Sequence, residues 1–257
     1  MTALRAVRGE WTKLRTLPST GWLLVGVVVG TVALGLAITA SLDQRHCAAP
    51  CLTDPVKLSL AGVRLGQVAV VILAVLAVTA EYATRTIQPT LAAVPRRALV
   101  VLGKAVVLVT LTLAAGALGV AASYAAAGLA LDGSGFDVPT WSDRLDQRAA
   151  VGTVLYLGLI AAFSAGLGLL LRDTAGAITT GLLVLYGTPV AASLVSDPRW
   201  EHRLLRFSPM DAGLSIQATR DFAAEHIGPW AGLGMLSAYA GGALLLGLLV
   251  FALRDAR

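Results

Sequence analysis

Charge is scarce in this chain of 257 residues. Asp, Glu, Lys and Arg make up 14% of it and hydrophobic residues 56%, against roughly 25% and 45–50% in soluble domains. The 20 basic and 15 acidic residues cannot form the charged skin of a soluble domain, and the same apolar excess excludes a disordered chain. Mean hydropathy is +0.76. Aromatics amount to 6%, with two cysteines and three histidines in all. Nucleotide chemistry is also missing. Upstream of Gly103-Lys104 the position for the first Walker A glycine holds Ala98, and Ala105 stands where Ser or Thr would reach Mg²⁺. His46, His202 and His226 all lie outside the apolar runs, so neither a proton relay nor an intramembrane serine protease finds its residues here.

What the chain does have is long apolar runs. A hydrocarbon core of about 30 Å needs about 20 residues of helix. Six stretches qualify: Thr20–Ala40, Val63–Ala80, Ala98–Leu131, Ala149–Leu171, Thr174–Val195 and Trp230–Leu253. Runs of this length exclude a membrane β-barrel, whose strands alternate over about ten residues. The expected fold is an all-α membrane protein of one domain over residues 1–257. The fourth and fifth spans are separated only by Arg172 and Asp173, which predicts a tight turn. The third is long enough to tilt or to begin below the membrane surface.

Six spans place both termini on one side. With the termini inside, the inner segments hold 11 basic and four acidic residues and the outer segments nine and 11. The outer basics are spread over far more loop, so the positive-inside rule places both termini in the cytoplasm. The net charge of +5 therefore belongs to topology, and nucleic acid is not an expected partner. Ahead of the first span, Leu4, Val7, Trp11, Leu14 and Leu17 recur every three or four residues, with Arg5, Arg8, Lys13 and Arg15 pointing elsewhere. That pattern predicts an interfacial amphipathic helix over residues 1–18, ended by Pro18. A plain basic anchor is the simpler alternative.

Cys47 and Cys51 fall in the first outer loop, in His46-Cys47-Ala48-Ala49-Pro50-Cys51. Two thiols four apart on an oxidising face can close a small disulfide loop; free thiols are the alternative. A metal site would have three ligands at most and is not expected. The third outer connection, 196–229, is amphipathic in places and is expected to form short helices capping the outer side. Gly26 and Gly30, like Gly234, Ala238 and Gly242, read as helix-packing positions.

The inner connection 81–97 is the most informative segment. It opens with Glu81-Tyr82 and closes with Pro95-Arg96-Arg97, and between them Ile87, Leu91 and Val94 form a short apolar stripe at helical spacing. Such a stripe below the bilayer fits a groove on a soluble partner. An ordinary loop whose Arg pair orients the spans would also account for it.

These residues carry a resemblance. Glu10-Trp11-Thr12-Lys13-Leu14-Arg15 before the first span is similar to an element of the ABC-2-type permeases, the membrane subunits of ABC exporters. So is Glu81-Tyr82 through Thr86-Ile87, Thr90-Leu91, Pro95 and Arg97 after the second. Leu169 to Gly176 at the tight turn and Pro209-Met210-Asp211-Ala212-Gly213 also match, and Arg85 departs from the pattern where Gly is common.

The resemblance implies an ABC-2 (type V exporter) permease fold in a bacterial plasma membrane. It also implies a second permease copy, identical or related, and a separate ATPase subunit holding ATP and Mg²⁺, with no cofactor and no catalytic residue in this chain. Glu81, Arg85, Thr86, Ile87, Gln88 and Leu91 would couple to that ATPase. In the family, spans two and five line the dimer interface, which here would present Gln67, Thr79, Thr179, Thr180, Tyr186 and Thr188 to a hydrophobic or amphipathic cargo. Those hydroxyls could equally bond their own helix backbones. A membrane scaffold or immunity protein, sharing the spans without needing an ATPase, is the alternative function.

Overall fold

A computed structural model describes residues 3–41, 54–83, 97–131, 136–220, 222 and 225–253. Among them every regular element is helical. Helix α1 (Ala3–Thr16) stops at Leu17, whose extended backbone precedes Pro18, and Pro18 opens α2 (Pro18–Ala40). A proline in the first turn lacks only an N–H that would have no intrahelical partner. The same device recurs with a capping side chain in front of it. Asp54 starts α3 (Pro55–Ser59), Asp197 starts α8 (Pro198–Phe207) and Ser208 starts α9 (Pro209–Leu214), each accepting a first-turn N–H. The remaining elements are α4 (Val63–Ala83), α5 (Arg97–Leu131), α6 (Arg144–Leu171), α7 (Thr174–Ser193), a 3₁₀ turn (Ser215–Gln217) and α10 (Pro229–Leu253).

Six of these helices, α2, α4, α5, α6, α7 and α10, are long and apolar enough to cross a membrane. They coincide with the six runs expected from the sequence. At 35 residues, α5 is about 52 Å long, so it extends well beyond a hydrocarbon core of about 30 Å. The α6–α7 turn is as tight as expected. Arg172 adopts a left-handed conformation with φ 56°, closing α6 by an N–H to the Gly168 carbonyl, and Asp173 caps α7 through the Gly176 N–H at 2.5 Å. The 194–228 connection forms α8, α9 and the 3₁₀ turn, the short capping helices expected there.

Helix α6 is the axis, packing against α4, α5, α7 and α10, while α2 lies across α4 and α5. Contact reaches backbone distance where glycines face each other. A Cβ on Gly166 of α6 would lie 2.5 Å from the Ala243 carbonyl carbon of α10, and one on Gly247 2.8 Å from Leu169 Cβ. A Cβ on Gly62 would collide with the Thr31 carbonyl oxygen of α2. Gly30 packs on Gly66 in the same seam, as its spacing suggested, and Gly26 approaches Ala69. The stripe on α10 behaves differently. Gly234 and Gly242 have no atom within 4 Å of a Cβ position, and Ala238 is exposed, so among the described residues these are not packing contacts.

This asymmetry is testable by calorimetric unfolding in detergent. Gly62→Ala is expected to destabilise the fold by about 1–3 kcal/mol because a carbonyl must give way. Gly234→Ala, in open space, is expected to stay within about 1 kcal/mol of the parent.

Candidate functional site

The bundle has two polar ends with an apolar middle between them. At the basal end, where α1 lies, an ion pair fastens α1 to α5. Glu10 of α1 and Lys104 of α5 meet at 2.6 Å with side chains 5% and 8% exposed, and Lys13 adds a second bond to Glu10 at 2.8 Å. Val7, Glu10 and Leu14 share one helical stripe, so the face that turns inward carries its acid with it. Leu14 is buried and Val7 half-buried, while Trp11 and Leu17 remain exposed. Burial alone would push the Glu10 carboxyl up. The Lys104 and Lys13 ammonium groups outweigh this and hold it below its ordinary value of 4.5.

At the opposite, cap end, Asp54 joins two distant loops. Besides capping α3, its carboxylate accepts the Thr219 N–H at 2.6 Å, the Thr219 hydroxyl at 2.8 Å and the Arg220 N–H at 2.9 Å. Around it Lys57 pairs with Glu225, Arg220 with Asp137, and Arg148 donates to the Ala218 carbonyl beneath the Phe222 ring. Three connections, following α2, α5 and α7, are thereby clasped into one lid over the bundle.

Beneath the lid is a buried polar node. Gln67 of α4 is fully buried; its Oε1 accepts from the Tyr156 hydroxyl of α6 and its Nε2 donates to Met210 Sδ of α9 at 3.1 Å. Gly213 lets α9 lie flat on this node, since a Cβ there would be 2.7 Å from the Tyr156 ring. Next to it Tyr186 of α7 donates to the Arg64 carbonyl, and Gln217 donates to Thr153 Oγ1 at 3.1 Å. A cavity of about 180 Å³ opens at this level, lined in part by Lys57, Arg64, Asp211, Glu225 and His226.

The six pathway candidates divide. Gln67 and Thr79 are buried and occupied inside the chain, Thr79 by the Val75 carbonyl at 2.9 Å and the Thr174 hydroxyl at 2.8 Å. On α7, Thr179 is exposed and Thr180, Tyr186 and Thr188 are half-buried. Thr188 bonds its own helix at the Val184 carbonyl, 3.1 Å away. Of the coupling candidates, Glu81 belongs to the last turn of α4, while Arg85, Thr86, Ile87, Gln88 and Leu91 lie outside the described residues, as do Cys47 and Cys51. No group of three or more metal-ligating side chains occurs among the described residues.

Sequence reasoning missed both end fastenings. Glu10 could have been found from its place on the Val7–Leu14 stripe, and Lys104 from its position inside an apolar run. Nothing local marks Asp54 as a partner of Thr219, 165 residues away. Compared with known proteins, the chain matches no family model and no curated protein sequence.

The basal pair generates a prediction. Glu10→Gln breaks the buried pair and is expected to cost about 3–5 kcal/mol, read as faster amide exchange along α1, while Lys104→Met, which leaves Glu10 its bond to Lys13, is expected to cost less. The double replacement should recover part of the loss. Because the folded carboxyl titrates below 4.5, the pair's contribution is complete above that pH and falls away as pH drops beneath it. Protection of α1 in the parent should follow the same course.

Proposed function

We propose that this chain is the membrane-spanning permease subunit of an ATP-binding cassette exporter of the ABC-2 kind. It works as a dimer with an identical or related copy in a bacterial plasma membrane, both termini and residues 81–97 facing the cytoplasm. A partner subunit binds and hydrolyses Mg-ATP. The observation that carries this reading is the basal fastening. The segment 81–97 joins α4 to α5, and α5 is bonded to α1 by the buried Glu10–Lys104 pair. A displacement applied to that segment is delivered to α5 and α1 together.

The mechanism follows from that mechanical link. ATP closes its two binding subunits and draws the coupling segments of the two permeases together, with Glu81, Arg85, Thr86, Ile87, Gln88 and Leu91 meeting the partner. The bundles then rock and the cap side opens. Shifting such an equilibrium from 1:99 to 99:1 requires ATP to favour one state by about 5.5 kcal/mol. Gln67 and Thr79 are fully buried inside the bundle, so the cargo path is assigned to the more exposed α7. There Thr179, Thr180, Tyr186 and Thr188 are interspersed with exposed Leu183 and Val190. A wall of hydroxyls set among aliphatic side chains suits a hydrophobic or amphipathic molecule.

The test is purification of the tagged chain from its native membrane in mild detergent, with the eluate assayed for ATP hydrolysis. The parent should bring down an ATPase, and Glu81→Ala and Ile87→Asp should lose or uncouple it while keeping a parental melting temperature. An eluate without ATPase, unaffected by added ATP, would contradict the exporter and favour a membrane scaffold.

A further inference from the structure

The cap carries a second cluster that the transport reading does not use. His202 and His226 are 24 positions apart, yet their Nδ1 atoms approach to 3.1 Å. His202 is on the exposed side of α8, and His226 is half-buried in the segment that leads into α10. The rings are tilted by 52° with centroids 4.9 Å apart. The two nitrogens therefore converge, and the ring faces do not stack.

We propose that this pair is a binding site for a divalent transition-metal ion of borderline softness, Zn²⁺ or Ni²⁺. Imidazole nitrogens bind such ions at about 2.0–2.1 Å. Two of them 3.1 Å apart subtend about 98° at the metal for that bond length, between the right angle of octahedral geometry and the tetrahedral angle. Both rings coordinate as neutral imidazoles through Nδ1 with the proton on Nε2. No third His, Cys, Asp or Glu joins them among the described residues, and Glu225, next in sequence to His226, is engaged by Lys57. Water fills the remaining positions, which the exposed side of the pair allows.

The ion has a mechanical consequence. It joins α8 to the segment before α10, the segment that also carries the Lys57–Glu225 contact. Bound metal therefore braces the lid in its clasped form.

The test uses the full chain, purified in detergent with a histidine-free tag and stripped of metal. It is titrated calorimetrically with Zn²⁺ and with Ni²⁺. The parent and a chain carrying His46→Gln, Cys47→Ser and Cys51→Ser are run together, so that the first loop cannot supply the signal. Both should bind one ion. His202→Ala or His226→Ala should weaken binding about tenfold or more, and the double variant should abolish it. Zn²⁺ should raise the melting temperature of the parent but not of the variants, whose metal-free melting temperatures stay at the parental value. Absence of binding by the parent would overturn the proposal and leave a hydrogen-bonded histidine pair. So would undiminished binding by the variants.

Discussion

Where Gly166 of α6 meets the Ala243–Leu244 peptide of α10, there is no room for even a methyl group, and the rest of the bundle depends on approaches of this kind. In lipid the hydrophobic effect does not press apolar helices together, so close van der Waals contact has to do it. Gly62 and Gly66 supply it against α2, and Gly247 supplies it against α6. The middle of the bundle can then be almost free of charge. Its buried amide Gln67 bonds Tyr156 through its oxygen and Met210 through its nitrogen.

Charge is concentrated at the two ends, and the two ends differ in construction. At the base the Glu10–Lys104 pair is buried and short, fastening one helix to another. At the cap a set of partly exposed contacts is distributed over three loops, with Asp54 accepting three hydrogen bonds from Thr219 and Arg220. Exposed pairs contribute little individually, so such a lid can open at modest cost while the base stays intact. That contrast is what an alternating-access permease requires, and it is why the proposed function assigns force transmission to the base and release to the cap.

Much of the fold was legible from the residues. Long apolar runs mark spans because the bilayer sets their length, and Arg172-Asp173 could only be a turn because no longer connection is present. The Pro18 break and the capping helices after Val195 followed from local chemistry in the same way. Partnership between distant elements was not legible. Periodicity put Glu10 on the apolar stripe of α1 without saying what would neutralise it, and the meeting of His202 with His226 depends on how α8 folds back toward α10. The small-residue stripe Gly234–Ala238–Gly242 shows the converse limit. Its spacing is that of a packing face, yet the neighbour it would need is absent among the described residues, because α6 takes another side of α10 through Ala243 and Gly247, and α9 packs on Gly232.

The central claim is that the base moves as one body while the cap opens. Spin-label distances in native membranes test it most directly, one pair at Arg8 of α1 and Leu102 of α5, another at Arg199 of α8 and Leu145 of α6. On adding Mg-ATP with a slowly hydrolysed analogue as control, the account predicts an unchanged basal distance and a lengthened or broadened cap distance. A cap that does not respond, or an α1 that separates from α5, would contradict it.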